Sequence, residues 1–182
     1  MRVLLTAALI ATIATSAGLA AERVGGPRLR PQDTRIVKAV REGSMRSATF
    51  RSLVDRIEAS NVIVYVALNP LLKSSLSGSL TWMTRTGDFR YLRASISTDL
   101  TFDQMIAAVA HELQHAVEVI EDQSVKDERS LVALYQRIGE PSRAATFGWE
   151  TVSAQQTGYQ VRRELIAMPA GMMARVNSNT RS

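Results

Sequence analysis

The only two histidines of the chain, His111 and His115, stand four residues apart, with Glu112 directly after the first. On an α-helix, residues at this spacing lie one turn apart on the same face, so both imidazoles could reach one metal ion. Neutral imidazole is the favoured nitrogen ligand of zinc. Glu112 would point about 100° away from His111, where its carboxylate could take a proton from a metal-bound water. These residue types and this spacing indicate metal-assisted hydrolysis.

The sequence His111-Glu112-Leu113-Gln114-His115 matches HExxH, the zinc metallopeptidase motif, at every required position. Counting about 100° per residue puts both histidines on one side of a helix, beside the small side chains of Ala107 and Ala108. The opposite side is an apolar stripe suited to burial, formed by Ile106, Val109, Ala110, Leu113, Val117 and Ile120. The alternative is a solvated histidine pair on an ordinary surface helix.

A catalytic zinc ion needs three protein ligands and one open position. The chain has no cysteine and no third histidine, so the third ligand must be a carboxylate. Glu150, placed in the first turn of the last predicted helix among apolar neighbours, is the predicted ligand because burial of its charge is costly unless a cation neutralises it. A first-turn glutamate stabilised by the helix dipole is the alternative. The other candidate ligands are Glu118, Glu140 and Asp127.

Glu118 shares the histidine face but lies about 10.5 Å along the helix axis from His111, which is far for a common ligand. Its expected role is to orient His115, because ligand histidines usually donate their second N–H to a carboxylate or a carbonyl. A solvated helix glutamate is the alternative. Glu118 and Glu121 occupy the glycine and third-histidine positions of the metzincin motif, so the chain does not fit that class.

An HExxH helix followed by a glutamate on a later helix resembles the gluzincin branch of the zincin metallopeptidases, over about residues 79–167. The resemblance implies that His111, His115 and Glu150 bind zinc and that Glu112 is the general base and acid. It also implies a small sheet before the motif helix, with an edge strand that aligns the substrate. Gluzincins often carry ExxxD around the third ligand, whereas this chain has Ala154 at the last position.

The predicted fold class is α+β: a small zincin-like domain with a short antiparallel sheet or hairpin packed on the HExxH helix, and further C-terminal helices. A β-branched run at 61–68 predicts a buried strand, and 79–97 predicts a hairpin with Gly87-Asp88 as its turn. That hairpin would place Met83 opposite Leu92 on a core-facing side and Trp82 opposite Arg93 as a cation–π pair. It would also place Arg85 beside Arg90, a like-charge pair that indicates an exposed end. The predicted helices are 33–41, 47–59, 101–122, 130–138 and 149–167, the third opened by a capping box.

The domain organisation follows from the two ends of the chain. Arg2 precedes an uncharged run ending in Gly18-Leu19-Ala20, a small-x-small pattern that indicates a signal peptide at 1–20 and a secreted or periplasmic protein. The alternative is an uncleaved N-terminal anchor. After it we expect a linker and N-terminal helix (21–46), with 22–32 as the linker, then the metallopeptidase domain (47–168) and a flexible tail (169–182).

Composition narrows the functional classes. An apolar fraction of 46% in 182 residues is enough for a core, and the absence of cysteine excludes disulfides and a thiol nucleophile. The net charge of +5 comes from scattered lysines and arginines, so nucleic acid is not an expected partner, and no stable membrane insertion is expected after signal cleavage. The composition does not indicate an oligomeric state.

The functional hypothesis is an exported zinc metallopeptidase that cleaves peptides or proteins. Zinc (Zn²⁺) would polarise the scissile carbonyl and lower the pKa of its water, while Glu112 would accept the proton and pass it to the leaving amine. Tyr159 and Tyr135 are candidate oxyanion donors, although both residue types are more often packing residues. The alternatives are a non-catalytic zinc-binding envelope protein and a metal-free helical interaction module.

Overall fold

The computed structural model of the protein describes residues 26–73, 75–142 and 148–169, and shows a mixed α+β fold. The predicted signal peptide, and the tail beyond Pro169, lie outside these residues. Five helices accompany a four-stranded sheet and a two-stranded ribbon in the described part. The helices are α1 (Thr34–Arg46), α2 (Ala48–Glu58), α3 (Phe102–Glu121), α4 (Glu128–Ile138) and α5 (Val152–Ala167). The strands are β1 (Leu29–Pro31), β2 (Val62–Asn69), β3 (Gly78–Thr86), β4 (Phe89–Ser97), β5 (Glu140–Pro141) and β6 (Trp149–Glu150).

The main sheet is mixed: it contains the predicted antiparallel hairpin, but its other strand pairs are parallel, which corrects the prediction of a wholly antiparallel sheet. Its strand order is β1-β2-β4-β3, with β1 and β4 both parallel to β2 and only β3 antiparallel to β4. Residues 22–32, expected to be a linker, contain β1, whose Leu29 pairs with Val64. Pro31 fits there because β1 is an edge strand, where the missing N–H of proline is tolerated.

The β3–β4 hairpin forms at the predicted turn, but half of its predicted register is wrong. Gly87 has φ +57°, a conformation that glycine adopts without steric cost, and Thr86 pairs with Phe89 across the turn. A β-bulge between Trp82 and Thr84 then shifts the pairing by one residue. Trp82 therefore lies opposite Leu92 instead of Arg93, and its predicted cation–π pair does not form.

The same bulge turns Met83 outward, so Met83 is exposed instead of facing the core. Arg90, in contrast, is more buried than the sequence predicts. It pairs with Arg85 as predicted, yet it is buried rather than at an exposed end. Its guanidinium reaches the end of α3 and donates to the carbonyls of Val119 (2.6 Å) and Asp122 (2.9 Å).

Helix α3 lies at the centre of the domain, in contact with the sheet and with α1, α2 and α5. The predicted apolar stripe of α3 is buried, except that Ile120 is only partly covered. Sheet residues that share this core include Val62, Val64, Val66, Leu92, Ala94 and Ile96. The helix begins as predicted: the side-chain oxygen of Gln104 accepts from the Thr101 N–H at 2.9 Å, one half of the capping box.

The helices that surround α3 begin close to the predicted positions. Helix α1 is capped by Asp33, whose side chain accepts from the Ile36 N–H at 3.0 Å, and it extends five residues beyond the predicted end at Arg41. Helix α4 ends at Ile138 as predicted, with Gly139 as its C-cap. None of the helices in the described part of the chain is both long and apolar enough to cross a membrane.

Arg46, the last residue of α1, links the N-terminal end of α3 to the C-terminal end of α5. Its buried guanidinium forms two hydrogen bonds with Asp103, of 2.7 and 2.9 Å, in the first turn of α3. It also donates to the carbonyls of Leu165 (3.1 Å) and Met168 (2.8 Å), which end α5. Helix ends leave such carbonyls without intrahelical partners, so Arg46 satisfies them and fixes how α3 and α5 pack.

Candidate metal centre

The three residues predicted to bind a metal lie together in the structure. One ligand atom from each of His111, His115 and Glu150 lies within 4.8 Å of the other two, the only such group among the described residues. Oε1 of Glu150 is 2.9 Å from Nε2 of His111 and 3.6 Å from Nε2 of His115. The imidazole centroids are 5.0 Å apart, with the rings at 78°. Two histidines one turn apart on α3 and a distant carboxylate therefore converge on one point.

The donor set fits a zinc ion. Two ligand atoms that share one tetrahedral zinc lie about 3.4 Å apart, given metal–ligand distances of about 2.0–2.2 Å, and the two nitrogen–oxygen distances lie on either side of that value. Oε1 of Glu150 is also buried without a hydrogen bond, although Nε2 of His111 lies 2.9 Å away. A buried carboxylate oxygen in that state is costly unless a cation compensates it.

The electrostatics of the cluster favour a positive charge between its members. Burial raises the pKa of Glu150, but the adjacent imidazoles of His111 and His115 outweigh it and bring the pKa to about 2. Burial likewise lowers the pKa of His115, and the carboxylates of Glu118 and Glu150 outweigh it and raise the pKa to about 10. The carboxylates that raise this pKa would also attract a cation at Nε2 of His115.

Glu118 orients His115, as the sequence predicts, and is not a solvated surface residue. Its Oε2 lies 2.8 Å from Nδ1 of His115, and both side chains are buried. A carboxylate only accepts hydrogen bonds, so Nδ1 donates and Nε2 is left to face Glu150. The other oxygen, Oε1, accepts from the Thr151 hydroxyl at 2.6 Å. Thr151 also caps α5 by accepting from the Ala154 N–H at 3.1 Å.

Glu150 lies immediately before α5, not in its first turn as predicted. It is the last residue of β6, and Thr151 is the N-cap of the helix. Strand β6 pairs with β5, where Glu140 stands directly opposite Glu150. The dipole alternative for Glu150 assumed a first-turn position, which the structure does not give it. This position also departs from the gluzincin pattern of a glutamate on a later helix.

The other candidate ligands do not join the cluster. Glu140 is exposed on the partner strand of the ribbon. The Asp127 side chain caps α4 by accepting from the Ser130 N–H at 2.7 Å. Glu118 is held by His115 and Thr151, as described above. Of the carboxylates considered from the sequence, Glu150 alone reaches both imidazoles.

Glu112 lies beside the cluster in a buried position. Burial raises the pKa of its carboxyl group, and the lowering effect of the two imidazoles does not cancel the rise. The carboxylate packs against the start of β3: a Cβ built on Gly78 would lie only 2.5 Å from its Oε1. Glycine at this position therefore makes room for Glu112, a requirement that no feature of the sequence around residue 78 indicates.

The histidine face of α3 is covered by other helices rather than open. Gly158 of α5 lies against His111: a Cβ there would be in ordinary van der Waals contact with Nδ1, at 3.6 Å. Tyr135 of α4 packs edge-on against the His115 ring, with centroids 5.2 Å apart. The side chains of His111 and Glu150 retain 22% and 28% exposure, whereas His115 retains 7%. Solvent therefore reaches the cluster from the side of His111 and Glu150.

A cleft of about 400 Å³ opens on that side. One wall is the segment that leads into β3, including Ser77 and Gly78, and the other is the outer face of α5. Ala107 and Ala108 line it as well, as expected of small residues that leave room next to the histidines. His111, Glu112 and Glu150 all border the cleft.

The two tyrosines considered as oxyanion donors have different surroundings. Tyr135 is buried, and its hydroxyl donates to the His115 carbonyl at 3.1 Å, so it is a packing residue as expected. Burial raises the pKa of its hydroxyl well above the ordinary value. Tyr159 is 72% exposed and lines the cleft, so the expectation of a packing role is wrong for Tyr159.

Comparisons of the chain with protein-family models, with curated proteins and with solved structures find no match.

Proposed function

We propose that the protein is a zinc-dependent metallopeptidase that acts outside the cytoplasm on peptides or proteins. The observation that carries the proposal is the convergence of His111, His115 and Glu150 at the edge of a cleft that Glu112 also borders. Two imidazoles and one carboxylate, with solvent access on one side, are the ligand set of many catalytic zinc sites. Bound zinc would polarise the carbonyl of a scissile peptide bond and lower the pKa of water.

Glu112 is the proposed general base and acid. It follows His111 on α3 and borders the same cleft, so a water between the cluster and the cleft would lie within its reach. Its carboxylate would accept the proton of that water and deliver it to the leaving amine. Its presence favours a peptidase over simple zinc capture, because capture needs only the ligands.

The cleft supports a peptide substrate. Strand β3 is an edge strand of the main sheet, and the chain entering it forms one wall of the cleft. Edge strands have unpaired backbone groups that can bind an extended peptide. Tyr159, exposed on the opposite wall, is the proposed donor to the developing oxyanion. The proposed fold relationship is to gluzincins, with the third ligand carried by β6 instead of a helix.

The test compares zinc content and peptide cleavage for the wild type and Glu112→Gln. Gln keeps the size of the buried side chain but is not a base, so the variant should retain one zinc per chain and lose at least 100-fold in kcat. Glu121→Gln, an exposed change on the same helix, is the matched control and should match the wild type. Zinc would be measured by elemental mass spectrometry without added metal.

The alternatives give different results in this test. One zinc per chain with no cleavage of any peptide would indicate a non-catalytic zinc-binding envelope protein. Absence of any metal would indicate a metal-free helical module. Unchanged turnover in Glu112→Gln would contradict the role assigned to Glu112.

A further inference from the structure

Arg162 is a basic side chain in the cleft that the proposed mechanism does not use. It is exposed on α5 and is the single arginine or lysine among the described residues that line the cleft. The buried Arg46 and Arg90 are held by carbonyls and acidic groups, and Arg137 pairs with Asp122. Arg162 forms no hydrogen bond or ion pair within the described part of the chain. Its guanidinium is therefore available to a bound molecule.

The position of Arg162 along α5 sets its distance from the metal centre. Gly158 lies against His111, and Arg162 is one turn later on the same face, about 6 Å further along the helix axis. An extended peptide advances about 3.3–3.6 Å per residue. The backbone of Arg162 is thus displaced from the level of His111 by about the length of two peptide residues.

The charges of the cleft define what Arg162 would bind. The acidic groups on its wall, Glu112 and Glu150, lie at the candidate metal centre, where the histidines and a bound cation would compensate them. Among the described residues, the guanidinium of Arg162 has no such partner. A planar guanidinium binds a carboxylate through two parallel hydrogen bonds, which a neutral amide cannot reproduce.

We propose that Arg162 binds a carboxylate of the substrate about two residues from the cleaved bond. This inference rests on the proposed peptidase function and assigns its substrate class: peptides with a free C-terminal carboxylate, or an aspartate or glutamate side chain, at that distance. Both kinds of peptide present a carboxylate to Arg162. The experiment distinguishes a C-terminal carboxylate from an acidic side chain.

The experiment uses a set of synthetic peptides in matched forms. One pair differs only in a free or an amidated C-terminus, and a second pair has Glu or Gln two residues from a potential cleavage site. For the zinc-loaded wild type, kcat/KM should be on the order of 10- to 100-fold higher for the acidic member of one pair. The pair that shows the preference identifies the source of the carboxylate.

Variants at two adjacent arginines test whether Arg162 causes the preference. Arg162→Gln should abolish the preference for the acidic peptide, chiefly through KM. Arg162→Lys should retain part of the preference, because lysine keeps the charge but cannot form the bidentate hydrogen bonds. Arg163→Gln removes an equal charge from an exposed position that does not line the cleft, and should keep the preference. Equal cleavage of acidic and neutral peptides by the wild type, or an undiminished preference in Arg162→Gln, would overturn the inference.

Binding measurements separate this inference from the proposed function. Fluorescence anisotropy of the same labelled peptides with zinc-loaded Glu112→Gln reports the acidic preference without turnover. If the wild type cleaves none of the peptides, the peptidase proposal fails. The role of Arg162 stands only if binding still favours the acidic peptides and Arg162→Gln removes that difference; absence of binding, or binding without the difference, contradicts it.

Discussion

The hydroxyl of Thr151 donates a hydrogen bond of 2.6 Å to Oε1 of Glu118, the carboxylate that orients His115. Thr151 directly follows Glu150, the third candidate ligand. Glu118 is thereby in contact with both parts of the candidate metal centre. It holds the His115 ring directly, and it holds the chain at Glu150 through Thr151. Two segments 33 residues apart are positioned by one buried carboxylate.

Replacement of Thr151 by Val should weaken zinc binding. The change removes the hydrogen bond to Glu118 and the cap of α5, and loss of a group that orients ligands typically costs 10- to 100-fold in metal affinity. Loss of the cap should also lower the free energy of unfolding by about 1 kcal/mol. Thr151→Ser retains the hydroxyl and is the matched control. Competition with a chromophoric chelator measures the affinity; equal zinc affinity of the two variants would refute this role.

Replacement of Gly78 by Ala should impair turnover without affecting zinc binding. The new Cβ would lie 2.5 Å from Oε1 of Glu112, so the carboxylate must move away from its present position. Displacement of a catalytic group by about 1 Å can cost on the order of 100-fold in rate. Gly158→Ala is the control, because its Cβ would make only ordinary contacts of 3.6 Å with His111 and Ala107. A normal kcat in Gly78→Ala would show that Glu112 does not act from this position.

Glu164 should contribute stability that depends on pH. It accepts hydrogen bonds from the hydroxyls of Ser47 (2.5 Å) and Thr49 (2.7 Å) at the start of α2. Burial raises its pKa, but these hydrogen bonds outweigh the rise and lower the pKa to about 2, below the value of about 4.3 for an unfolded chain. The folded state therefore favours the ionised form. This stabilisation is complete above about pH 4.5 and is lost as the pH falls toward 2.

Glu164→Gln should accordingly be less stable than the wild type by about 1–2 kcal/mol at pH 7. The difference should narrow as the pH falls from about 4.5 to 2, because the wild-type carboxyl then becomes neutral. Urea unfolding at several pH values, followed by circular dichroism, measures both. Comparison with the wild type at each pH cancels the titration of distant groups. A difference that does not change with pH would contradict the assigned ionisation.

Local patterns predicted much of the fold because they act over a few residues. The periodicity of α3, the Gln104 cap and the Gly87 turn are each determined by neighbours in sequence, and each is found in the structure. The parallel pairing of β1 with β2 joins segments 35 residues apart, and three residues ending in Pro31 give no strand signal of their own. The bulge near Met83 likewise has no local signature, so the register beyond it could not be predicted.

The candidate site was predictable where chemistry restricts the choice of residues. With two histidines and no cysteine, the third ligand had to be a carboxylate, and Glu150 is the one that the fold brings to the imidazoles. Its placement before α5 was not predicted, although Thr151 is a good N-cap residue and could have indicated where the helix begins. The roles of Gly78 and Arg162 depend on how β3 and α5 approach α3, which only the tertiary structure defines.

The hydrogen bonds of Arg46 to Asp103 and to the last carbonyls of α5 lie at one end of the α3–α5 helix pair. The candidate ligands lie away from that end. Because Arg46 links α3 and α5 at that end, and the Thr151–Glu118 hydrogen bond links them again near the candidate ligands, the two helices have little freedom to move apart. In the proposed metal site the ligands would already lie close together before an ion binds, so binding would require little further ordering of the chain. Affinity for the ion would then reflect the strength of the bonds formed, with little loss to conformational entropy at the moment of binding.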